Sequence, residues 1–450
     1  MEITQQIISE IRKEGKVIKR VVIKEKIVVD PEKIEDVGYN QEEQVSILQG
    51  SQDEYLLAME KVIKDSSCRK CRGLMALAGN MPSSFHSAYT DHKIMMPKKK
   101  CKSCGNIFSE TIHSLFGSSM HPDLMKKQAK VGSEMSYVQA QHALEREDGK
   151  VRSINNSRTI KNTVTKVGTV LHDLHQQINE LPNTSAKQLI IQTDGGYVKD
   201  MDPKKQSFEV LISKIYKPED HEHGYINDNG TRVSGIIKNK IYAASAFKDR
   251  HNTIKNMTIV AAQKHGMTKE TKVTAISDGA VNCWNVLKAV KPYCQSVECI
   301  LDWYHIKQRF ESLANKVEDP YLSELESIKW QIWHGNHIEA LNKLSAVYVA
   351  TSTCEYTDKV HELFKYLSNN REYLVHYAAR KEKQLPYTSS IIESAVESII
   401  NERYKKKHKA QWSRLGAHNV LQIRTSVASN LWNKEWKDTK NKLYKSHMAA

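Results

Sequence analysis

Three acidic residues, far apart in the chain, each stand where a metal-dependent enzyme would need a carboxylate. They are Asp194 in Ile-Gln-Thr-Asp-Gly-Gly, Asp278 in Ala-Ile-Ser-Asp-Gly-Ala and Glu393 in Ser-Ile-Ile-Glu-Ser-Ala. Both aspartates end an apolar or β-branched run and precede a glycine, which predicts a carboxylate at the C-terminal end of a strand, where ligands bind in α/β folds. Glu393 stands at the start of a helical pattern. Three such carboxylates can hold two divalent metal ions about 4 Å apart, as phosphodiester chemistry requires.

Each of these acids also has a simpler explanation or a rival. An Asp before Gly often only makes a turn, and a lone Glu on a helix is usually solvated. Glu397 lies one helical turn after Glu393, on the same face. Asp302, in Leu-Asp-Trp-Tyr-His, ends another predicted strand and competes with Asp278. With His305 it could brace the site or contact DNA, or it could be a helix cap beside a packed histidine, and the residues themselves leave these alternatives open.

The order of the predicted elements indicates what must position the acids. Strands are predicted at 188–193, 207–216, 240–246, 272–277 and 296–301, with helices at 252–264 and 281–290. This is the order of a ribonuclease-H-like α/β core. The interval between the second and third acids is too long for a minimal core, and the helical pattern of 308–385 accounts for it as an all-α insertion. Its core candidates are Trp330, Trp333, Leu341 and Leu344.

Two Cys-x2-Cys knuckles use four of the eight cysteines. They are Cys68 with Cys71 and Cys101 with Cys104. Each knuckle can present two thiolates to one tetrahedral ion at Zn–S distances of about 2.3 Å, and the 29 residues between them fit a ribbon with a hairpin insertion. The sequence therefore predicts one structural Zn²⁺, with a redox pair as the alternative. The other cysteines lack ligand spacing and are expected to be buried small hydrophobes.

Helical spacing is also found before the predicted core. The isoleucines at 3, 7, 8 and 11 predict a helix in an N-terminal arm, and a second helix is expected at 54–63. A helix at 135–146, a polar turn and a basic helix with Ile160, Val164, Val167 and Leu171 on one face outline a helix-turn-helix. Arg158 and Lys161 lie off that apolar face. Two packed helices without a role in DNA binding would give the same pattern.

The charge of the chain is strongly basic and unevenly distributed. The formal net charge is +15, and residues 401–450 contain twelve Lys and Arg but three Asp and Glu, with aromatic residues interleaved. This balance favours a polyanionic partner. No apolar run approaches the roughly 20 residues of a membrane span, and the N-terminus has no signal-peptide core. We therefore expect an intracellular protein.

These motifs, in this order, resemble those of bacterial insertion-sequence transposases of the DDE class, in particular the ISKra-type family and more distantly Mutator-like enzymes. The resemblance runs from about residue 65 to the C-terminus. It rests on the two knuckles, 157–168, Asp194-Gly195, Asp278-Gly279-Ala280, Leu301-Asp302-Trp303-Tyr304-His305, 388–394, Trp412-Ser413-Arg414-Leu415-Gly416-Ala417 and Leu421-Gln422-Ile423-Arg424. Thr388 and Ser390 stand where the family usually has glycines, and the first knuckle lacks the family's Pro and Gly.

The resemblance implies a DNA transposase that binds the ends of its insertion sequence and catalyses strand cleavage and strand transfer into target DNA, with Mg²⁺ or Mn²⁺. It assigns Asp194, Asp278 and Glu393 as the metal-binding triad over their rivals, with Asp302 and His305 accessory. The DNA-binding candidates are Arg158, Lys161, Lys405, Lys406, Lys407, Trp412 and Arg424. The expected partners are double-stranded DNA and further copies of the chain, near the nucleoid in a bacterial cytoplasm. The alternative is an inactive or domesticated derivative that binds specific DNA sequences.

The overall expectation is a multidomain α+β protein. Its predicted parts are an N-terminal arm (1–64), a zinc ribbon (65–112), a helix-turn-helix region (113–182), the first part of a ribonuclease-H-like core (186–307), a helical insertion (308–385) and the last part of the core with a basic C-terminal tail (386–450).

Overall fold

The computed structural model of the chain divides into two compact units. It describes residues 2–29, 38–62, 67–68, 70–109, 111–144, 153–178, 184–222, 225–226, 232–233, 235–388, 390–406 and 410–444. Unit 1 comprises Met1–Gly132, Tyr137–Thr163 and Trp436–Ala450, and unit 2 comprises Ser133–Ser136 and Val164–Glu435. Among the described residues, no helix combines the length and apolar character that crossing a membrane requires.

Unit 1 begins with a long β-hairpin, where the sequence predicted a helix. Strand β1 (Glu2–Lys13) pairs antiparallel with β2 (Lys16–Val29). Glu14 and Gly15, between them, both have positive φ, as the two central residues of a type I′ turn require. The helix prediction was wrong because isoleucines four residues apart, at 3, 7 and 11, share one face of a strand as well as of a helix.

The remainder of unit 1 contains a small antiparallel sheet and several helices. Helix α1 (Gln41–Val62) covers 54–62 of the helix expected at 54–63, and residue 63 lies outside the described part. The sheet has the order β3 (Met75–His86), β4 (Asp91–Cys101), β5 (Ile107–Ser109). Helices α2 (Ile112–Phe116), α3 (Pro122–Glu134) and α4 (Tyr137–Ala143) follow. The single helix predicted at 135–146 was therefore wrong in its bounds, because one helix ends and another begins near its start; residues 145–152 lie outside the described part.

Helix α5 (Ser157–His175) is the predicted basic helix. It begins where Asn156 Oδ1 accepts a hydrogen bond from the backbone N–H of Thr159 at 2.9 Å, as an N-cap does. The four apolar residues expected on one face are all buried: Ile160, Val164, Val167 and Leu171. The amphipathic spacing in the sequence was thus a correct guide to this helix.

Unit 2 is built on a mixed five-stranded sheet with the order β12-β7-β6-β13-β14. The strands are β6 (Gln188–Lys199), β7 (Ser207–Tyr216), β12 (Lys240–Ser245), β13 (Lys272–Ser277) and β14 (Ser296–Leu301), with the two-residue strands β8 (His221–Glu222), β9 (Tyr225–Ile226), β10 (Arg232–Val233) and β11 (Ile236–Ile237) between β7 and β12. β7 pairs antiparallel with β6 and β12, whereas β13 pairs parallel with β6 and β14. All five main strands were predicted, and β6 is longer than expected.

Within the described residues, ten α-helices and one π-helix follow β12 along the chain, and the last of them passes into unit 1 at Trp436. They are α6 (Asn252–Lys264), α7 (Val281–Lys288), α8 (Trp303–Ala314), α9 (Tyr321–Trp333), α10 (His337–Ala350), α11 (Thr357–Asn369), α12 (Tyr377–Glu382), α13 (Ser390–Ala395), a π-helix (Val396–Lys406), α14 (Arg414–Ala428) and α15 (Trp432–Leu443). The segment 308–385 is helical, as predicted. Leu344 is buried, but Trp330 is 48% exposed. Its assignment to the core was wrong because Ile328 and Ile332, at helical spacing, already occupy the buried face of α9.

The open edge of β12 is covered by side chains of α14. Ser429 Oγ accepts from the N–H of Tyr242 at 2.9 Å, and Gln422 donates to the carbonyl of Ala244 at 2.9 Å. Arg414 donates to the carbonyl of Ala246 at 3.0 Å. An exposed strand edge invites pairing with other chains, so α14 both satisfies the edge and blocks it.

Helix α14 also lies very close to α5, at Gly168. A Cβ built on this glycine would lie 2.5 to 2.7 Å from three atoms of Asn419, two of them backbone. These distances are shorter than any normal carbon contact, so the two helices can pack in this way only without a side chain at position 168.

We therefore predict that Gly168→Ala destabilises the protein by about 1–3 kcal/mol, because the added methyl group overpacks a rigid helix contact. Chemical denaturation would measure the free energy of unfolding. Lys166→Ala, at an exposed position of the same helix, should change it by less than about 0.5 kcal/mol. Equal effects of the two substitutions would contradict the close contact.

His418, which directly precedes Asn419 in α14, is a buried histidine. His418 Nε2 is 2.9 Å from His172 Nδ1, and its Nδ1 is 3.4 Å from the backbone N of Ala246. The ring stacks on Phe247 with centroids 3.9 Å apart. Burial, and then the neighbouring His172, lower the pKa of His418 to about 3. Burial lowers the pKa of His172 as well.

Since both histidines bind fewer protons in the folded protein than in the unfolded chain, stability should increase with pH. Their contribution is complete above the unfolded pKa of about 6.5 and is lost as the pH falls below it, by up to about 1.4 kcal/mol per pH unit for each histidine. We predict that His418→Asn makes the unfolding temperature less sensitive to acidification between neutral pH and the mildly acidic range. An unchanged pH dependence in this variant would show that His418 is not the responsible group.

Candidate functional site

Three aspartates lie in one row across unit 2, at the carboxyl edge of its parallel strands. Ile276 of β13 pairs with Gln192 of β6, and Ser277 pairs with Leu301 of β14. Continuing this register by one or two residues brings Asp278 level with Asp194 on one side and with Asp302 on the other. Neighbouring strands are about 4.8 Å apart, so the three carboxylates are close together.

Asp194 does not end its strand, contrary to the sequence prediction. Strand β6 continues to Lys199, paired with β7 alone after β13 has ended. The run Asp194-Gly195-Gly196 was interpreted as a strand end because glycines usually break strands. Here they allow close packing instead: a Cβ on Gly196 would lie 3.3 Å from Ile400 of the π-helix. Asp194 is therefore held inside a strand, with its Oδ1 accepting from the N–H of Gly195 at 2.6 Å.

Asp278 follows the end of β13, as predicted, in a tightly constrained turn. Its Oδ1 accepts from the N–H of Ala280 at 2.9 Å, and the Tyr366 hydroxyl donates to its carbonyl at 2.8 Å. Gly279 has a φ of +97°, and a Cβ there would lie 2.9 Å from Asn370 and Leu301. Glycine is required after Asp278 both by the left-handed backbone and by the lack of space.

Glu393 is brought to the row by hydrogen bonds before its helix. Gln192, two residues before Asp194, donates to the carbonyl of Thr388 at 3.1 Å. The backbone N–H of Trp303 donates to the carbonyl of Tyr387 at 3.2 Å. Ile392 is buried and anchors the first turn of α13. The start of α13 is thus fixed to both β6 and α8, on either side of the aspartate row.

Asp302 and His305 connect the row to Glu393. Asp302 is fully buried and caps α8 by accepting from the N–H of Tyr304 at 3.0 Å. Its other oxygen is 2.6 Å from His305 Nδ1. His305 Nε2 in turn is 3.8 Å from Glu393 Oε1. Asp302 is therefore both a helix cap and a support for His305, two possibilities that the sequence left open.

The pKa values of the site reflect the burial of its acids and their proximity to one another. Burial, and then the charges of Asp278 and Asp302, raise the pKa of Asp194, against a lowering by the Gly195 N–H. Burial also raises the pKa of Glu393, with Asp302 and Asp194 adding to it and His305 opposing it. Burial alone would lower the pKa of His305, but its bond to Asp302 and the nearby aspartates raise it. The four carboxyl groups thus form one acidic cluster around a single imidazole.

The acids are near one another without forming a closed cage. Within the described part of the chain, one group of at least three His, Cys, Asp or Glu ligands lies within 4.8 Å, and it is the four cysteines of unit 1. Glu397, the rival of Glu393, accepts from Asn401 at 3.0 Å in the π-helix. His305 contacts Glu393 and not Glu397 among the ion pairs of the described residues.

Sequence reasoning missed another acid of the same sheet, which lies on the opposite face from Asp194. Glu209 of β7 accepts a short hydrogen bond from the Asn282 amide, and its Oε1 would lie 3.5 Å from a Cβ on Gly195. Asn282 is in the first turn of α7, which starts directly after the second acid motif. An Asn four residues after Asp278 was a visible signal; Glu209, in an ordinary strand pattern, gave none.

The four cysteines converge in unit 1, as predicted. Cys68 Sγ is 3.7 Å from Cys104 Sγ, and Cys71 Sγ is 3.4 Å from Cys101 Sγ. A tetrahedral ion with Zn–S bonds of about 2.3 Å requires sulfur separations of about 3.8 Å. Cys68 and Cys101 are buried, whereas Cys71 and Cys104 are exposed. The cluster could therefore hold a structural Zn²⁺.

The two knuckles share one backbone hydrogen bond and a left-handed residue after the second cysteine. In the first, the N–H of Arg72 donates to the carbonyl of Cys68 at 2.7 Å; in the second, that of Gly105 donates to Cys101 at 3.1 Å. Arg72 and Gly105 both have positive φ. Backbone N–H groups of the second cysteine and the residue before it lower the pKa of Cys68, and those of Cys104 and Ser103 lower the pKa of Cys101 to about 6. This conformation favours the thiolate forms of Cys68 and Cys101. The pKa of Cys71 is instead raised to about 12, because a lowering by the Gly73 backbone is outweighed by the Cys104 and Cys101 side chains.

The predicted DNA-binding residues have different environments. Arg158, Lys161 and Lys405 are exposed, while Lys407 and the side chain of Lys406 lie outside the described residues. Trp412 is buried, with its ring against Tyr404 and Arg403. Arg424 donates to the carbonyls of Ile399, Ser398 and Ser133. Trp412 and Arg424 thus have internal contacts in unit 2, and DNA binding by all seven residues remains a prediction.

The other cysteines are in unit 2 and are only partly as expected. Cys283 and Cys294 are buried, and Cys299 and Cys354 are partly exposed.

No protein-family model matches this chain, and no curated protein matches it either.

We predict that the full chain, purified without added metal, contains one Zn²⁺ per molecule, and that Cys68→Ser or Cys101→Ser removes it. Elemental analysis would give the stoichiometry. Cys354→Ser, outside the cluster, should retain the metal. Metal-free protein with four freely reactive cluster thiols would contradict the site.

Proposed function

We propose that this protein is a DNA transposase of the DDE class, with Asp194, Asp278 and Glu393 as its catalytic acids. The observation that supports the proposal best is the parallel register of β6, β13 and β14, which aligns acids from separate motifs at one sheet edge. The resemblance of the sequence motifs to insertion-sequence transposases adds the order of the parts. On this proposal the sheet of unit 2 is a ribonuclease-H-like core, and residues 308–385, from within α8 to the end of α12, form its insertion.

The donor set suits a hard divalent cation. Carboxylate oxygens are the ligands that Mg²⁺ and Mn²⁺ prefer. Burial, and to a smaller extent the neighbouring acids, raise the pKa values of Asp194 and Glu393, and a bound cation would favour their charged forms. Asp194, Asp278 and Glu393 would hold the ions, which when bound make water more acidic and stabilise the leaving oxygen of a phosphodiester.

The remaining groups position the acids and manage protons. Asp302, through its bond to Nδ1, fixes the ring of His305 with Nε2 toward Glu393. The raised pKa of His305 favours a proton at Nε2, which offsets part of the acidic charge. Gln192 fixes the approach of Glu393 to β6. These contacts would orient the acids before DNA arrives.

Unit 1 would supply DNA recognition. The cysteine cluster would form a zinc ribbon, and α4 and α5 a helix-turn-helix with Arg158 and Lys161 near the start of the recognition helix, where side chains can reach base edges. In unit 2, the exposed Lys405 and the basic residues that follow it in the sequence would contact phosphates, which position the protein without reading sequence.

Loss of one catalytic acid should abolish cleavage and leave DNA binding largely intact. We predict this for Asp194→Asn, Asp278→Asn and Glu393→Gln, because each removes a ligand charge and little volume. A duplex containing the DNA that flanks the coding region would be incubated with each protein and Mg²⁺, and both nicking and gel mobility would be measured. Asp302→Asn should reduce nicking by about 10- to 100-fold, as outer-shell changes do.

Glu397→Gln is the matched control, since it makes the same change one helical turn from Glu393 and should leave nicking unchanged. Normal nicking by Asp278→Asn would contradict the triad. If the native protein shifts the duplex in the gel but never cuts it, the alternative of a sequence-specific DNA-binding protein would replace the transposase proposal.

A further inference from the structure

The β-hairpin at the start of unit 1 has an outer edge that is not paired by any described residue. Strands β1 and β2 form a sheet of two strands, and within the described part of the chain no backbone hydrogen bond joins β1 to anything but β2. A two-stranded sheet is marginally stable in water, and a free strand edge is a template for a further strand. The outer edge of β1 is therefore a candidate interaction surface.

One face of the hairpin is already covered, by helix α1. Lys19 of β2 lies 2.6 Å from Glu54 of α1. In the register of the hairpin, Lys19 is opposite Ile11 of β1, and paired residues point to the same face of a sheet. Ile3 and Ile7 share this face with Ile11, because they lie an even number of residues away from it. A strand added at the edge of β1 would extend the sheet beside α1 and bury these isoleucines further.

The two strands of the hairpin differ in how well their edges are protected. The pairing register skips Ile18 and Ile23, so β2 contains two bulges, and it carries five Lys or Arg residues. Bulges and lysines are devices by which natural proteins block pairing at an edge. β1 has no extra residue in the pairing, contains neither Pro nor Gly, and has its two basic residues at its C-terminal end. A further strand would therefore pair with β1.

The sequence of β1 is complementary to itself in the antiparallel direction. When two copies of a strand pair antiparallel about a two-fold axis perpendicular to the sheet, one residue faces its own copy on that axis. With Ile7 on the axis, Ile3 is opposite Ile11 of the second copy, and Glu2 is opposite Arg12. The three isoleucines thus form one continuous stripe across both copies, with an opposite-charge pair at each end.

The neighbouring registers lack this complementarity. A shift of the axis by one residue toward the N-terminus sets Glu2 opposite Glu10 of the second copy, and a shift toward the C-terminus sets Ile3 opposite Lys13. Like charges that lie directly opposite each other destabilise a sheet. Arg12 contacts Glu10 of its own strand at 2.7 Å, and the five donors of a guanidinium allow it to bind a second carboxylate as well.

We propose that this chain forms a two-fold symmetric dimer in which two copies of β1 pair antiparallel, centred on Ile7, and join two hairpins into one four-stranded sheet. Pairing over residues 2–12 would form roughly ten backbone hydrogen bonds, as many as a typical interface contains. Both copies of α1 would then cover the same face of the sheet, beside the isoleucine stripe. The inference does not rest on the proposed function, because this association needs neither DNA nor a catalytic metal.

Sedimentation equilibrium of the full chain, without DNA, tests the dimer. The native protein should be dimeric at micromolar concentration. Ile7→Glu should weaken association by at least about 10-fold, because two carboxylates would face each other on the axis. Within its own hairpin the new carboxylate is opposite Lys24, an opposite charge, so the hairpin should be retained. Far-UV circular dichroism would check this.

Val22→Glu is the matched control. It introduces the same charge on β2, at a side chain that is 49% exposed and paired with Ile8, on the face away from α1. This variant should associate like the native protein. If Val22→Glu dissociates the dimer and Ile7→Glu does not, the copies pack through the hairpin face, and the edge pairing is wrong. A native protein that stays monomeric at high micromolar concentration would also overturn the proposal.

A charge exchange tests the register of the two strands. Glu2→Arg and Arg12→Glu should each weaken association about 3- to 10-fold, because each places like charges opposite each other at both ends of the paired strands. The variant with both substitutions has opposite charges again and should associate more tightly than either single variant. If it associates no more tightly than they do, the strands are not centred on Ile7.

Discussion

The parallel register of β6, β13 and β14 is the constraint on which the candidate site depends. It sets Asp194, Asp278 and Asp302 level with one another although they come from distant parts of the chain. A slip of the register by one residue would turn each acid to the other face of the sheet. The hydrogen bond of Gln192 and the packing of the π-helix on Gly196 hold Glu393, the fourth acid, against this row.

Gathering acids in this way has an electrostatic cost that the structure only partly offsets. Burial and mutual repulsion raise the pKa values of Asp194 and Glu393. His305 acts in the opposite direction and lowers both of these pKa values. In the cysteine cluster of unit 1, neighbouring groups shift the pKa of two ligands in the opposite direction. There, backbone N–H groups lower the pKa of two thiols, which prepares them to bind a metal. In both sites, neighbouring groups thus shift the pKa values of the metal-binding side chains.

The elements that the sequence predicted well are those in which local pattern and tertiary role coincide. The five buried strands of unit 2 and the amphipathic α5 needed no information from elsewhere in the chain. The failures have physical causes. The N-terminal hairpin has isoleucines spaced for a helix or a strand, and only pairing with β2 selects the strand. Asp194 continues into a longer β6 because β7 is still there to pair with it.

By itself, the sequence determined the residue types, their order and the spacing of the knuckles. The four cysteines could be grouped from spacing alone, because each pair is local and both fit one tetrahedral ion. Only the tertiary structure decided which acids are neighbours and that Asp302 caps a helix while it holds His305. Such relations join residues tens to hundreds of positions apart, and they arise from strand register and helix packing, which no local pattern encodes.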